Sequence, residues 1–237
     1  MKTITTHLQI KFSLSSCYSK KVSPTANFPP MIMVEPLTIS WEQIDNLVKQ
    51  HIADNGFDYD SVRDYLYSLI PDEFECTIYN NRKTILDFTQ VGGVWGEGAV
   101  AVVRKCIKDI IEKIPSTRDE YLFKEITILR KGEEIEGDFY LLIMPKIPQR
   151  ELVATKCLYR DNENNVGVVF DNIEELCESA RRYSALQFTL PAKYRDLQML
   201  YLEGSGLFVS DKIATALRIA NDYADGYEFG IRMFFDE

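Results

Sequence analysis

No apolar run in this chain approaches the ~20 residues that a membrane-crossing helix needs. The longest, such as residues 139–144, have the length of a buried strand. Short apolar runs broken by turn signals predict a mixed α+β chain. Hydrophobic residues make up 46% and aromatic residues 12% of the 237 residues, enough for a sizeable core.

Helical spacing opens the organised part. Ser40 with Gln43 has the form of a capping box, and Ile44, Leu47, Val48 and Ile52 follow on one face, so a helix is expected over 41–53, stopping near Asn55-Gly56. A second helix starting at Asp60 or Ser61 carries Val62, Tyr65, Leu66 and Leu69 to Pro71. Residues 74–79 and 84–88 around Asn80-Asn81 read as a hairpin. The glycine-rich stretch 92–98 leads into an expected amphipathic helix carrying Val100, Val103, Ile107, Ile110, Ile111 and Ile114, ended by Pro115. Strands are expected over 121–130 and 139–144, and a strand pair, 151–159 with 166–170, across the polar turn 161–165. A polar helix is expected near 171–182, and a helix over 211–221 capped by Ser210, followed by a strand at 227–231. The segments 93–126 and 206–231 share one plan: aromatic strand, helix, aromatic strand. The fold class is therefore α+β, a mixed or antiparallel sheet with flanking helices, open to a division into two similar lobes.

Residues 1–30 read differently. Lys2, Lys11, Lys20 and Lys21 are the only charged side chains in residues 1–34, and His7, Gln9 and Lys11 interrupt any continuous apolar core of a secretory signal. The expectation is a leader or disordered tail, or an over-long start with Met31 or Met33 as initiator. Lipidation at Cys17, after Leu14-Ser15-Ser16, is the alternative. Residues 31–237 form a single α+β domain in this reading.

Net charge is −9, from 27 basic and 36 acidic residues. Because the four lysines of residues 1–34 have no acidic neighbours, the remainder carries 23 basic and 36 acidic side chains, or −13. Such a body repels phosphate backbones and attracts basic proteins, which disfavours nucleic acid as a partner. Five cysteines without a C-x-x-C spacing indicate reduced thiols in the cytoplasm, not a disulfide framework or zinc site.

Signals of chemistry are absent from the sequence. Of two histidines, His7 lies in the leader and His51 beside an apolar helical stripe, and Gly204-Ser205-Gly206 is not a nucleophile elbow. The stretch 92–98 has neither the P-loop Lys-Ser/Thr nor the dinucleotide glycine spacing. No catalytic residue, cofactor or metal ligand is assigned. Asp171, Glu174, Glu175 and Glu178 fall on one helical face as an acidic patch for a basic partner, and Tyr183, Tyr194 and Tyr201, set among charged residues, are candidate interface anchors.

Four segments carry a resemblance. They are Ile70-Pro71-Asp72-Glu73-Phe74 leading to Leu86-Asp87-Phe88, Gly93-Val94-Trp95 before a helix closing at Lys113-Ile114-Pro115, the aliphatic strand 139–143, and Gly206-Leu207-Phe208-Val209-Ser210 before Gly226-Tyr227-Glu228-Phe229. Over residues 70–235 the chain resembles the bacterial immunity-protein families of polymorphic toxin systems, of the type first described as a domain of unknown function in myxobacteria. The resemblance implies an α+β fold and a cognate toxin, expected to be basic, as partner; it transfers no catalytic residues. Oligomeric state stays open. The alternative reading is a hydrolase or transferase with a carboxylate-based site.

Overall fold

The computed structural model describes residues 7–12, 34–78, 88–90, 99–115, 120–144, 146–179, 183–220 and 227–236. In chain order the elements begin with strands β1 (His7–Phe12) and β2 (Val34–Pro36), helices α1 (Trp41–Asn55) and α2 (Tyr59–Leu69), and strands β3 (Phe74–Ile78), β4 (Phe88–Gln90) and β5 (Ala99–Arg104). Helix α3 (Lys105–Glu112) leads to β6 (Leu122–Arg130), β7 (Glu133–Glu134), β8 (Phe139–Met144) and β9 (Lys146–Ile147). Then come β10 (Leu158–Asp161), β11 (Gly167–Val168), α4 (Ile173–Ser179), β12 (Tyr183–Leu190), β13 (Met199–Leu202), β14 (Gly206–Ser210), α5 (Asp211–Ala220) and β15 (Tyr227–Phe235). Helices and mixed sheets together make the fold α+β.

Two sheets organise these strands. The first runs β2-β3-β6-β8-β5-β4, with β7 on β6; the second runs β11-β10-β12-β15-β1-β14-β13-β9. The first sheet is antiparallel throughout except for β3 with β6. Six neighbouring strands of the second, β10-β12-β15-β1-β14-β13, repeat that sequence of senses, the parallel pair being β12 with β15. Chain order matches too: β2, β3, β4, β5, β6 correspond to β10, β12, β13, β14, β15. Helix α3 crosses from β5 to β6 as α5 crosses from β14 to β15. The sixth strand departs. In the first sheet it is β8, following β6; in the second it is β1, from the other end of the chain. The second unit is a circular permutation of the first.

Side chains follow the same correspondence. Ala101, Val103, Ile107 and Ile111 stand where Leu207, Val209, Ile213 and Leu217 do, each pair equally far apart in sequence. All eight are buried in one shared core, which Leu142, Met144, Met199 and Ala214 complete. Helices α3 and α5 meet there, and the contact of β8 with β13 is matched by that of β1 with β4.

The other face of each sheet has its own core. Trp41, Ile44 and Val48 of α1 and Val62 and Leu66 of α2 cover Phe74, Val100, Val102, Ile126, Leu141 and Ile143 of the first sheet. Leu176 of α4, with Leu152, Ala154 and Leu197, covers Tyr159, Phe188, Leu200, Phe208 and Met233 of the second.

Local signals explain the helices. Ser40 Oγ accepts from Gln43 N–H and Gln43 Oε1 accepts from Ser40 N–H, at 3.2 and 2.9 Å, so the expected capping box starts α1. Gly56 at φ +80° ends it. Asp58 caps α2 through Ser61 N–H at 2.9 Å. Lys131 and Gly132, both at positive φ, form the tight turn that twists β6 into β7.

Three expectations are corrected. Residues 99–104 are strand, not helix: Val100 and Val102 face one core while Ala101 and Val103 face the other, a two-residue alternation that suits β-branched side chains. The hairpin of 74–88 does not form among the described residues, because β3 pairs with β2 and β6 whereas β4 pairs with β5 at the far edge. Residues 7–12 are not leader or tail but an interior strand, paired on both sides; Leu8, Ile10 and Phe12 alternate with the polar residues that suggested interruption. The glycine stretch 92–98, the turn at Asn80-Asn81 and Cys17 lie outside the described residues.

Candidate protein-binding surface

Helix α4 is short and held at its start by reciprocal bonds. Asn172 Oδ1 accepts from Glu175 N–H at 2.8 Å, and Glu175 Oε2 accepts from Asp171 N–H at 3.3 Å. One of the four predicted carboxylates, that of Glu175, is thus engaged in the cap, where negative charge also suits the helix dipole. Leu176 is fully buried and fixes the helix to the second sheet, which leaves Glu174, Cys177 and Glu178 exposed. Asp171 and Glu175 are exposed as well, although Asp171 precedes the helix.

Beneath α4 lies an aromatic ladder. Tyr183 meets Phe170 edge-on at 5.2 Å, Phe170 meets Tyr159 at 5.3 Å, Tyr159 meets Phe188 at 6.0 Å, and Phe188 meets Phe208 at 5.8 Å. These edge-to-face contacts set the rings rigidly. Tyr159 is buried, its hydroxyl has no hydrogen-bond partner among the described residues, and burial holds it protonated well above the usual phenol range. Tyr159, Tyr183, Ala185, Phe188 and Ile231 wall a cleft of about 230 Å3, closed by Gln149, Gly204 and Ser205, with no charged side chain in its lining among the described residues. Gln149 also borders a second cleft of about 390 Å3, where Lys49, Ile52 and Phe57 from the first unit approach Cys177 and Glu203 of the second. Partial desolvation, then the charges of Glu174 and Glu203, raise the Cys177 thiol.

The three predicted tyrosines do not form one surface. Tyr183 is half-buried beside α4. Tyr194 is 2% exposed, a correction to its role as an interface anchor. Its hydroxyl donates to Glu151 Oε2 at 2.8 Å and its ring meets Tyr59 edge-on at 6.0 Å, joining the two units from inside. The charged neighbours Lys193, Arg195 and Asp196 disguise a core residue. Tyr201 is half-buried against the shared core on the other face of the second sheet. The patch is therefore Asp171, Glu174, Glu175 and Glu178 with Tyr183.

No protein-family model matches this chain, and no curated protein is significantly similar to it.

His51 Nε2 lies 2.9 Å from Ser61 Oγ, and the imidazole stacks on Tyr65 at 4.2 Å. Asn55 Nδ2 donates to the His51 carbonyl at 3.0 Å and lies 3.4 Å from Nδ1. The His51–Ser61 pair clasps α1 to α2. Asp161 accepts from the N–H groups of Glu163 and Asn164 and from Asn164 Nδ2, which organises the β10–β11 turn. Among the described residues no group of three or more His, Cys, Asp or Glu could hold a metal ion.

The sequence missed the aromatic-walled cleft. Its walls come from β10, β12 and β15 and from residues 149 and 204–205, and only their pairing brings them together.

Proposed function

We propose that this chain is an immunity protein, which binds and neutralises a cognate bacterial toxin without catalysing a reaction. One observation carries the reading: α4 exposes Glu174 and Glu178 and borders, through Cys177, a cleft of about 390 Å3 that shares Gln149 with the aromatic-walled cleft of about 230 Å3. Protein interfaces concentrate binding energy in a few large anchors seated in desolvated pockets, with charged groups at the rim. Here the cleft receives an apolar anchor of the partner, and α4 supplies the rim.

Net charge fits the same partner. A net charge of −9 attracts a basic protein at long range and accelerates encounter. A basic nuclease toxin presents a cleft made for phosphates; carboxylates entering it mimic that charge and exclude substrate. Cys157 and Cys177 are free thiols, in keeping with action in the cytoplasm. The segment resemblance over residues 70–235 points the same way.

The test is co-expression with the toxin encoded beside this chain. Restored growth and co-purification of the pair are expected. Unrelieved toxicity with the chain fully expressed ends the proposal.

A further inference from the structure

The permuted plan leaves one strand held in an unusual way. β8, the sixth strand of the first sheet, is tied to β6 through β7 and the Lys131-Gly132 turn. Its counterpart β1 has no such tie to β15. It is held by ladders to β14 and β15, from His7↔Ser210 on one side to Phe12↔Tyr227 on the other, both about two hundred residues away. Its covalent connection runs instead to β2 in the other sheet, through the 21 residues 13–33.

We propose that the slot between β14 and β15 is a strand-acceptor site, and that it takes residues 7–12 from a second copy of this chain as well as from its own. The ladders are identical in the two arrangements. The difference is the tether alone, and exchange of an identical element is a low-cost route to a dimer. The 21-residue connection makes the strand's return intramolecular, at an effective concentration on the order of millimolar. The strand therefore returns to its own slot in dilute solution and crosses to a neighbour when copies are crowded. Neither state leaves β14 and β15 with open edges, which are themselves an association hazard.

The register supplies the test. Leu8 faces Arg232 across the β1–β15 ladder. The full-length double variant Leu8→Cys, Arg232→Cys is refolded from denaturant at concentrations from about 1 µM to about 1 mM, bracketing the tether's effective concentration, then oxidised. Peptide mapping identifies the 8–232 disulfide, and a non-reducing gel gives its mass. Intramolecular disulfide at the low end, giving way to a covalent dimer at the high end, is the expected result. An 8–232 bond that stays intramolecular throughout overturns exchange, and the absence of that bond in folded protein overturns the slot itself. Light scattering on wild-type chain refolded in the same series decides the matter should the variant not fold: a dimer fraction that rises with refolding concentration and survives dilution supports exchange, and monomer throughout overturns it.

Discussion

His7 and Met233 face one another across the antiparallel pair β1–β15, although they come from opposite ends of the chain. Their pairing is the joint at which a permuted unit closes. It places the first described strand inside the second sheet, not beside it, so the sheet's integrity depends on residues that resemble a dispensable extension.

Starting the chain at Met31 removes β1 and leaves two facing strand edges in the second sheet. Each ladder bond contributes about 1 kcal/mol net, and the strand is paired on both sides, so the loss is a large part of a typical stability of about 5–15 kcal/mol. Urea denaturation followed by circular dichroism should show a truncated chain with a much lower midpoint or no cooperative transition.

A circular permutant gives the opposite result. A short linker joining the last residue to the first, with new ends placed within residues 13–33, lets β1 follow β15 as β8 follows β6. This permutant should fold and unfold cooperatively with a midpoint close to that of the parent.

Ile107 and Ile213 are both completely buried at equivalent places in the shared core. Ile107→Ala and Ile213→Ala should each cost about 2–5 kcal/mol. The two values should be alike, as measured by chemical denaturation; a large disparity would mean that the two units do not share this core equally.

Acid stability depends partly on Glu151. Burial on its own would raise this carboxyl, but hydrogen bonds from Lys193 and Tyr194 outweigh it and hold it below its ordinary value of 4.5. A depressed carboxyl stabilises the fold above that value, and the contribution fades as pH falls below 4.5 through the folded-state value. Glu151→Gln should therefore lower stability at neutral pH and flatten its decline between about pH 4.5 and 2. At the alkaline end burial pushes Tyr194 up to about 12, so stability present below pH 10 should fall as pH rises from 10 to 12.

How far the sequence revealed this molecule depended on the range of the forces involved. The capping box at Ser40 and Gln43, the stop at Gly56 and the helix after Ser210 are local, and residues a few positions apart disclose them. The plan read for 93–126 and 206–231 resembles β5-α3-β6 and β14-α5-β15, but its first strand, at 93–95, lies outside the described residues, and β5 itself lies where the sequence predicts helix. Residues 99–107 misled because Val100, Val103 and Ile107 have helical spacing by coincidence: a strand ends at Arg104 and a helix begins at Lys105. β1 was hidden because a strand of alternating polarity declares itself only through its partners, which here lie at the far end of the chain. Within the candidate surface the charge of α4 was legible, whereas the burial of Tyr194 and the walls of the cleft depend on tertiary packing alone.

The most direct measurement is calorimetric titration of this chain, and of its Glu174→Lys, Glu178→Lys double variant, with the toxin encoded beside it. The account predicts tight binding by the parent, weakening as salt rises, and at least a tenfold loss in the variant with its fold intact. Equal affinity of parent and variant would contradict the role of α4, and the absence of binding by the folded parent would contradict the function itself.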